Sequence, residues 1–310
     1  MGMSDYSRDE TANTVPDSLT PASRASGVTA DLSAQTSIGL VHGGYFSSLL
    51  RAQEFVDLLV RALGDELPKR LRYADFGCGE GFLAKVVTRE LQARGFLVET
   101  ELVDGNPKYL EEAKKTGYAC TLTELKEYTA EVPYDLISMR AVHHYNSLED
   151  QELLMVNARR NLTGQGYLVN QLSSGTDVNC RLRTAIINLP SLPYGREANA
   201  YHWTSIPEYF LLAAHAGFSN TELVGYAAPN TWTPEELWER VNGVSLKKAE
   251  EGADQALQAK ILEQKQTYLT EVHAIIERFL KEYDQEHLGV ETSGESFLVH
   301  YQYPIFVSRK

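Results

Sequence analysis

The stretch Tyr73-Ala74-Asp75-Phe76-Gly77-Cys78-Gly79-Glu80-Gly81-Phe82-Leu83 reads as a short strand, a tight glycine turn and the opening of a helix. Only glycine takes a positive φ without penalty and lets a ligand approach the backbone closely. A turn that opens a helix also aims free N–H groups at whatever lies above it, which favours an anion. A dinucleotide fingerprint has its third glycine three residues after the second. Here that position is Phe82, and the spacing is instead Gly77-x-Gly79-x-Gly81 with Asp75 just ahead. A buried acid before the glycines repels a pyrophosphate and welcomes an ammonium group.

Outward from this turn, the apolar run 97–103 ends in a second acid, Asp104. An acid at the end of a second strand can accept hydrogen bonds from two ribose hydroxyls. A ligand with an ammonium, a carboxylate and a ribose is S-adenosyl-L-methionine (SAM). The turn, the acid and the strand–helix–strand frame resemble the class I SAM-dependent methyltransferases, over roughly 70–226 and the last strand. The resemblance implies that Asp75, Gly77, Gly79 and Gly81 hold the methionine part and that Asp104 holds the ribose. One departure stands out. The family often has an acid near the end of the third strand, against the adenine amino group, and the region 117–124 has none at the strand end. Thr121 and Leu122 are therefore the expected adenine contacts, with Glu124 more distant.

From Leu71 onward the pattern alternates strand and helix, which predicts a parallel sheet with helices on both faces. Strands are expected at about 71–76, 97–103, 118–121, 134–139, 167–172 and 218–226, with 297–307 as a final antiparallel strand. The expected fold is thus α/β: a seven-stranded Rossmann-like sheet carrying helical insertions as a cap. Residues 1–32 are polar and lack apolar periodicity, so they read as a disordered tail or a lid. The core spans 33–228. It includes a helical cover near Gly44, where Tyr45 is a weak binding candidate, and a pocket insertion at about 173–205. A helical insertion follows at 229–293, and the final strand occupies 294–310. Within that insertion a long helix is expected over 253–285, with Leu257, Ile261, Leu262, Tyr268, Val272 and Ile276 at helical spacing. Its apolar stripe suits a lid, a homodimer seam or simple core packing.

The formal charge is −13, which repels nucleic-acid backbones and anionic membranes. Neither Lys247-Lys248 nor Arg159-Arg160 makes a basic cluster. Three cysteines without paired spacing argue against a disulfide framework and a zinc site, and Cys78 reads as a small packing residue. No carboxylate set for magnesium is visible, so no metal is expected. The polar N-terminus has no signal-peptide core and no apolar run reaches membrane-spanning length, so a cytoplasmic location is expected.

In open parallel sheets ligands bind beyond the carboxyl ends of the strands. Arg140-Ala141-Val142-His143-His144-Tyr145 follows the fourth strand and would face the transferred methyl group. His143 or His144 could act as the general base, since histidine titrates near neutrality; either could equally brace the fold. Arg140 could bind the cofactor, a substrate carboxylate or a local acid. The insertion adds Tyr194, Arg196, Tyr201, His202 and Trp203 as substrate candidates, with His202 as an alternative base. The expected function is methyl transfer to oxygen or nitrogen of a small molecule, in specialised metabolism. The alternatives are a cyclisation or other non-methyl reaction with SAM bound, or a non-catalytic SAM-binding partner module.

Overall fold

The computed structural model describes residues 45–192, 201–252, 254–294 and 296–310, and for 243–249 only the backbone. All of them belong to one compact unit, Gln35–Lys310. The tail expected over 1–32 lies outside the described residues.

Helix α1 (Leu49–Leu63) precedes strand β1 (Arg70–Phe76), and α2 (Phe82–Ala93) leads to β2 (Leu97–Asp104). Helix α3 (Pro107–Ala113) starts where the Asn106 side chain accepts from the Lys108 N–H, with proline in the first turn. Strands β3 (Ala119–Leu122) and β4 (Tyr134–Arg140) follow. Helix α4 (Leu148–Arg160) is capped by Ser147, with acids in its first turn and arginines in its last, which suits the helix dipole. Strand β5 (Leu162–Gln171), α5 (Asp177–Ile187), α6 (Ile206–His215) and β6 (Asn220–Trp232) come next. The chain then forms α7 (Pro234–Glu251), α8 (Gln255–Leu280), α9 (Gln285–Leu288), β7 (Val290–Ser293) and β8 (Ser296–Arg309).

The strands run in the order β3-β2-β1-β4-β5-β8-β6, with the short β7 paired to β8. β1 to β5 are parallel, and β8 inserts antiparallel between β5 and β6. This is the expected seven-stranded Rossmann-like sheet, with β7 added. Strand order reverses at β1, between β2 and β4. Alternate strand residues enter two separate cores on the opposite faces: Tyr73, Leu102, Leu136 and Val169 in one, and Ala74, Val103, Ile137 and Leu168 in the other. No described helix is long and apolar enough to cross a membrane.

Three expectations need adjustment. β5 starts at Leu162 rather than near 167, running through Gly164 and Gly166 with a shift of register against β4. A Cβ on Gly166 would sit 2.9 Å from the Tyr134 carbonyl oxygen, so glycine there serves close strand approach. The pocket insertion at about 173–205, to which the sequence assigns no element, contains α5, capped by Thr176. The long helix is α8 alone, and its Ile261, Tyr268, Val272 and Ile276 are buried in the core shared with Trp238, Val299 and Tyr301. Those four positions of the stripe are covered within the chain. Leu257 and Leu262, expected on the same face, are exposed.

Candidate active site

The glycine turn has the geometry its composition requires. Gly77, Gly79 and Gly81 have φ of 71°, 55° and 79°. A Cβ on Gly77 would lie 2.5 Å from Val142 Cγ2, so the turn is pressed against the segment after β4. Asp75, next to the end of β1, is 2 % exposed and accepts a 2.6 Å hydrogen bond from the Ser138 hydroxyl of β4. Burial pushes its pKa up to about 7, against the opposing effects of Ser138 and Arg140. Asp104, at the end of β2, accepts from the Gly79 and Asn106 N–H groups, each at 2.8 Å.

Asp75, Gly77, Gly79 and Asp104 share one cleft of about 680 Å³ at the carboxyl ends of the parallel strands, while Gly81 packs against Leu102 and Thr116 off its wall. Its walls include Asp75, Gly77, Gly79, Asp104 and Arg140, then Glu124, Leu125 and Lys126 after β3, and Phe46, Tyr145, Asn146 and Tyr201 beside β4. One guanidinium nitrogen of Arg140, Nη2, donates to the Phe46 carbonyl, and the group lies 5.4 Å from the Phe46 ring centroid. The other, Nη1, is buried with no hydrogen-bond partner. Burial lowers the Arg140 pKa to about 10, and Asp75 opposes the shift. Ala141, also on the cleft wall, has φ of 61°, the left-handed region that non-glycine residues seldom enter.

Several expected site residues lie elsewhere. His143, 1 % exposed, is behind the cleft wall, 2.7 Å from Asn170 Nδ2 and edge-on to Tyr209. Burial lowers its pKa to about 4. His144 is also buried, stacked on Trp203 at 4.8 Å and tilted onto Tyr145 at 4.3 Å. Neither histidine lines the cleft. His202 faces Glu208 at 2.8 Å, and Trp203 packs between His144 and the Arg183 guanidinium. Of the insertion residues, Tyr201 reaches the cleft; Tyr194 and Arg196 lie outside the described residues. The Thr121 hydroxyl donates to Glu101 at 2.8 Å, and Leu122 points to solvent. Tyr45 stacks on Tyr303 at 3.9 Å, and its neighbour Phe46 meets the cleft instead. The sequence reading missed Phe46 and gave little weight to Glu124–Lys126. Position alone would have found the latter, because they follow the carboxyl end of a parallel strand beside the order reversal. Among the described residues no group of His, Cys, Asp and Glu is placed to hold a metal ion.

An open parallel sheet with a glycine turn after β1, an acid after β2 and a cleft across the order reversal defines a nucleoside-cofactor-binding α/β enzyme. The sequence pattern of the methyltransferase domain family matches residues 49–223. The chain belongs to this family and is a class I SAM-dependent methyltransferase. Its fold is similar to a putative methyltransferase from Bacillus halodurans, with a TM-score of 0.57 at 13 % identity over 83 % of this chain and 99 % of that one. It is equally similar to the YcgJ protein of Bacillus subtilis, with a TM-score of 0.57 at 12 % identity over 83 % of this chain and 98 % of that one. No curated protein matches the sequence. SAM is the cofactor, and the cleft suits it. The partnerless Arg140 Nη1 is a buried donor for a carboxylate, and the turn leaves no room for a Cβ at Gly77.

Proposed function

We propose that this enzyme methylates oxygen or nitrogen of a small molecule held beside the carboxyl end of β4. The observation that carries the reading is the single cleft of about 680 Å³ that joins the glycine turn to the wall of Phe46, Tyr145, Asn146 and Tyr201. That volume falls in the range of small-molecule pockets. SAM supplies a methyl group already activated by the positive sulfonium. Asp75 takes the ammonium of the methionine part, Arg140 Nη1 its carboxylate, Asp104 the ribose hydroxyls, and Glu124–Lys126 flank the adenine. The acceptor lies against Tyr145 and Tyr201, with the Asn146 amide able to orient a polar group.

A histidine base is not part of this proposal. A pKa of about 4 makes His143 a poor proton acceptor near neutral pH, and it stands behind the wall. Alignment of the acceptor drives the transfer instead, and proximity can supply roughly 7–11 kcal/mol of a barrier. The helical additions around β6 and β8 support a specialised acceptor. The test is acceptor-dependent formation of S-adenosylhomocysteine, followed by mass spectrometry across a panel of hydroxyl and amine metabolites. Tyr201→Ala should raise the acceptor KM and leave SAM affinity within a few-fold. Binding of SAM with no turnover on any acceptor of the panel would sink the reading.

A further inference from the structure

A second cavity lies past the carboxyl end of β5, enclosed by α5, α7, α8 and β8. It is narrow, about 30 Å³, room for roughly two waters or a compact acid group. Most of its wall is apolar, including Ile186, Ile187, Leu237, Val272 and Val299. Arg183 breaks that pattern. It is 2 % exposed, donates from Nη1 to the Ser174 carbonyl at 2.8 Å and from Nη2 to the Ser173 hydroxyl at 2.6 Å. Its guanidinium sits 3.8 Å from the Tyr301 ring centroid and 4.7 Å from that of Trp203.

Among the described residues this cation has no acid paired with it. The titratable groups acting on it are Tyr301, Cys180 and Tyr303, and burial raises the pKa of each, so all are neutral at pH 7. Two serine oxygens, the Tyr301 hydroxyl and two rings solvate the charge without cancelling it. A buried charge left unpaired is strongly unfavourable. Two further donors on the same wall are also unsatisfied: with Arg183 Nε, the Trp203 indole N–H and the Tyr268 hydroxyl are buried without a hydrogen-bond partner among the described residues. Guanidinium and indole can only donate. Three donors, one of them cationic, call for a compact anion rich in acceptors. The aliphatic remainder of the wall calls for a short apolar body behind it.

We propose that this cavity is a binding site for a small monocarboxylate, seated on Arg183. The site is separate from the cofactor cleft and shares no lining residue with it. The two are joined through rings: Trp203 stacks on His144, His144 leans on Tyr145, and Tyr145 lines the cleft. The carboxylate belongs either to a free acid or to the acid end of a larger ligand, and the chemistry of recognition is the same.

The test is calorimetric titration of the full chain with acetate and propionate, and with propionamide as the uncharged isostere. Propionate binds, and propionamide binds at least about 10-fold more weakly, because charge-assisted hydrogen bonds are the stronger kind. Arg183→Met lowers propionate affinity by about 10-fold or more. Ile187→Phe, which fills the cavity and keeps the arginine, abolishes propionate binding while S-adenosylhomocysteine still binds. Propionate and propionamide binding equally to the unmodified protein would overturn the proposal, as would an absence of binding by both acids. Those two outcomes need no variant, so a folding defect in Arg183→Met leaves the test intact. Cofactor binding is read separately, so failure here is distinct from failure of the methyltransferase reading.

Discussion

The cofactor cleft and the Arg183 cavity lie at the same carboxyl edge of the sheet, yet they are made of different material. The cleft is built on backbone: three glycines with positive φ, two N–H groups held by Asp104, and a turn with no space for a side chain. The cavity is built from side chains of α5, β6, α7, α8 and β8, brought together from distant parts of the sequence. A backbone cradle tolerates little substitution and leaves a compact trace in the sequence. A side-chain cavity can change its ligand one residue at a time. Within one sheet, the first region suits a fixed cofactor and the second suits a variable partner.

The strongest way to break this contrast is at Gly77. Gly77→Val should abolish SAM binding in calorimetry and destabilise the fold by about 2–4 kcal/mol, because left-handed strain adds to a 2.5 Å contact with Val142. Unchanged SAM affinity would show that the cradle is not where the cofactor sits. Asp104→Ala should weaken SAM by roughly 10- to 100-fold, since it removes charge-assisted hydrogen bonds and frees the Gly79 amide.

Asp75 sharpens the same point through pH. Its pKa is about 7 in the folded chain against 3.8 ordinarily, so the folded state keeps a proton that the unfolded chain releases. Stability without ligand therefore falls as pH rises from about 4 to 7, and Asp75→Asn should remove that slope. An ammonium ligand needs the ionised acid, so SAM affinity should rise about 30-fold between roughly pH 5.5 and pH 8 and lose that dependence in Asp75→Asn. Isothermal titration at several pH values checks both statements.

His143 gives the next smaller effect. His143→Ala should change kcat by less than about 10-fold and cost about 1–3 kcal/mol of stability, through the lost contact with Asn170. A drop of about 10²-fold or more in kcat with normal SAM binding would restore it as the base. Because its folded pKa is depressed to about 4, its contribution to stability is present at neutral pH and is lost as pH falls from about 6.5 to 4. The smallest effect is expected at Thr121. Thr121→Val should leave SAM affinity within about two-fold, since its hydroxyl is engaged by Glu101 rather than aimed at the cleft. A larger loss of affinity would move the adenine contact back to the end of β3.

The sheet and the cofactor turn were legible in the sequence because each signal is local. Strand–helix alternation, the Gly77-x-Gly79-x-Gly81 spacing and the acid at 104 all act over a few neighbours. The histidine pair was legible as a position but not as a direction. Ala141 adopts a left-handed φ and a short 3-10 turn follows at His143–Tyr145; the ring of Tyr145 reaches the cleft while both histidines are buried away from it. No spacing rule reports that rotation. Arg183 was invisible for the opposite reason. An arginine within an amphipathic helix reads as a solvated residue, and only the packing of β8 and Trp203 against α5 removes its water. The stripe on α8 was read as apolar correctly at Ile261, Tyr268, Val272 and Ile276; which surface it covers is a tertiary fact.

The insertion of β8 between β5 and β6 ties distant parts of the molecule to one strand. Among the described strands β6 pairs with β8 alone, and β8 follows all the others in the sequence. Without β8 the sheet would hold an open slot between the edges of β5 and β6. Unpaired edges of this kind attract other chains. β8 is the strand that seats β6, sets Tyr301 against Arg183 and helps cover the stripe of α8. Completion of the sheet and assembly of the second cavity thus depend on the same strand.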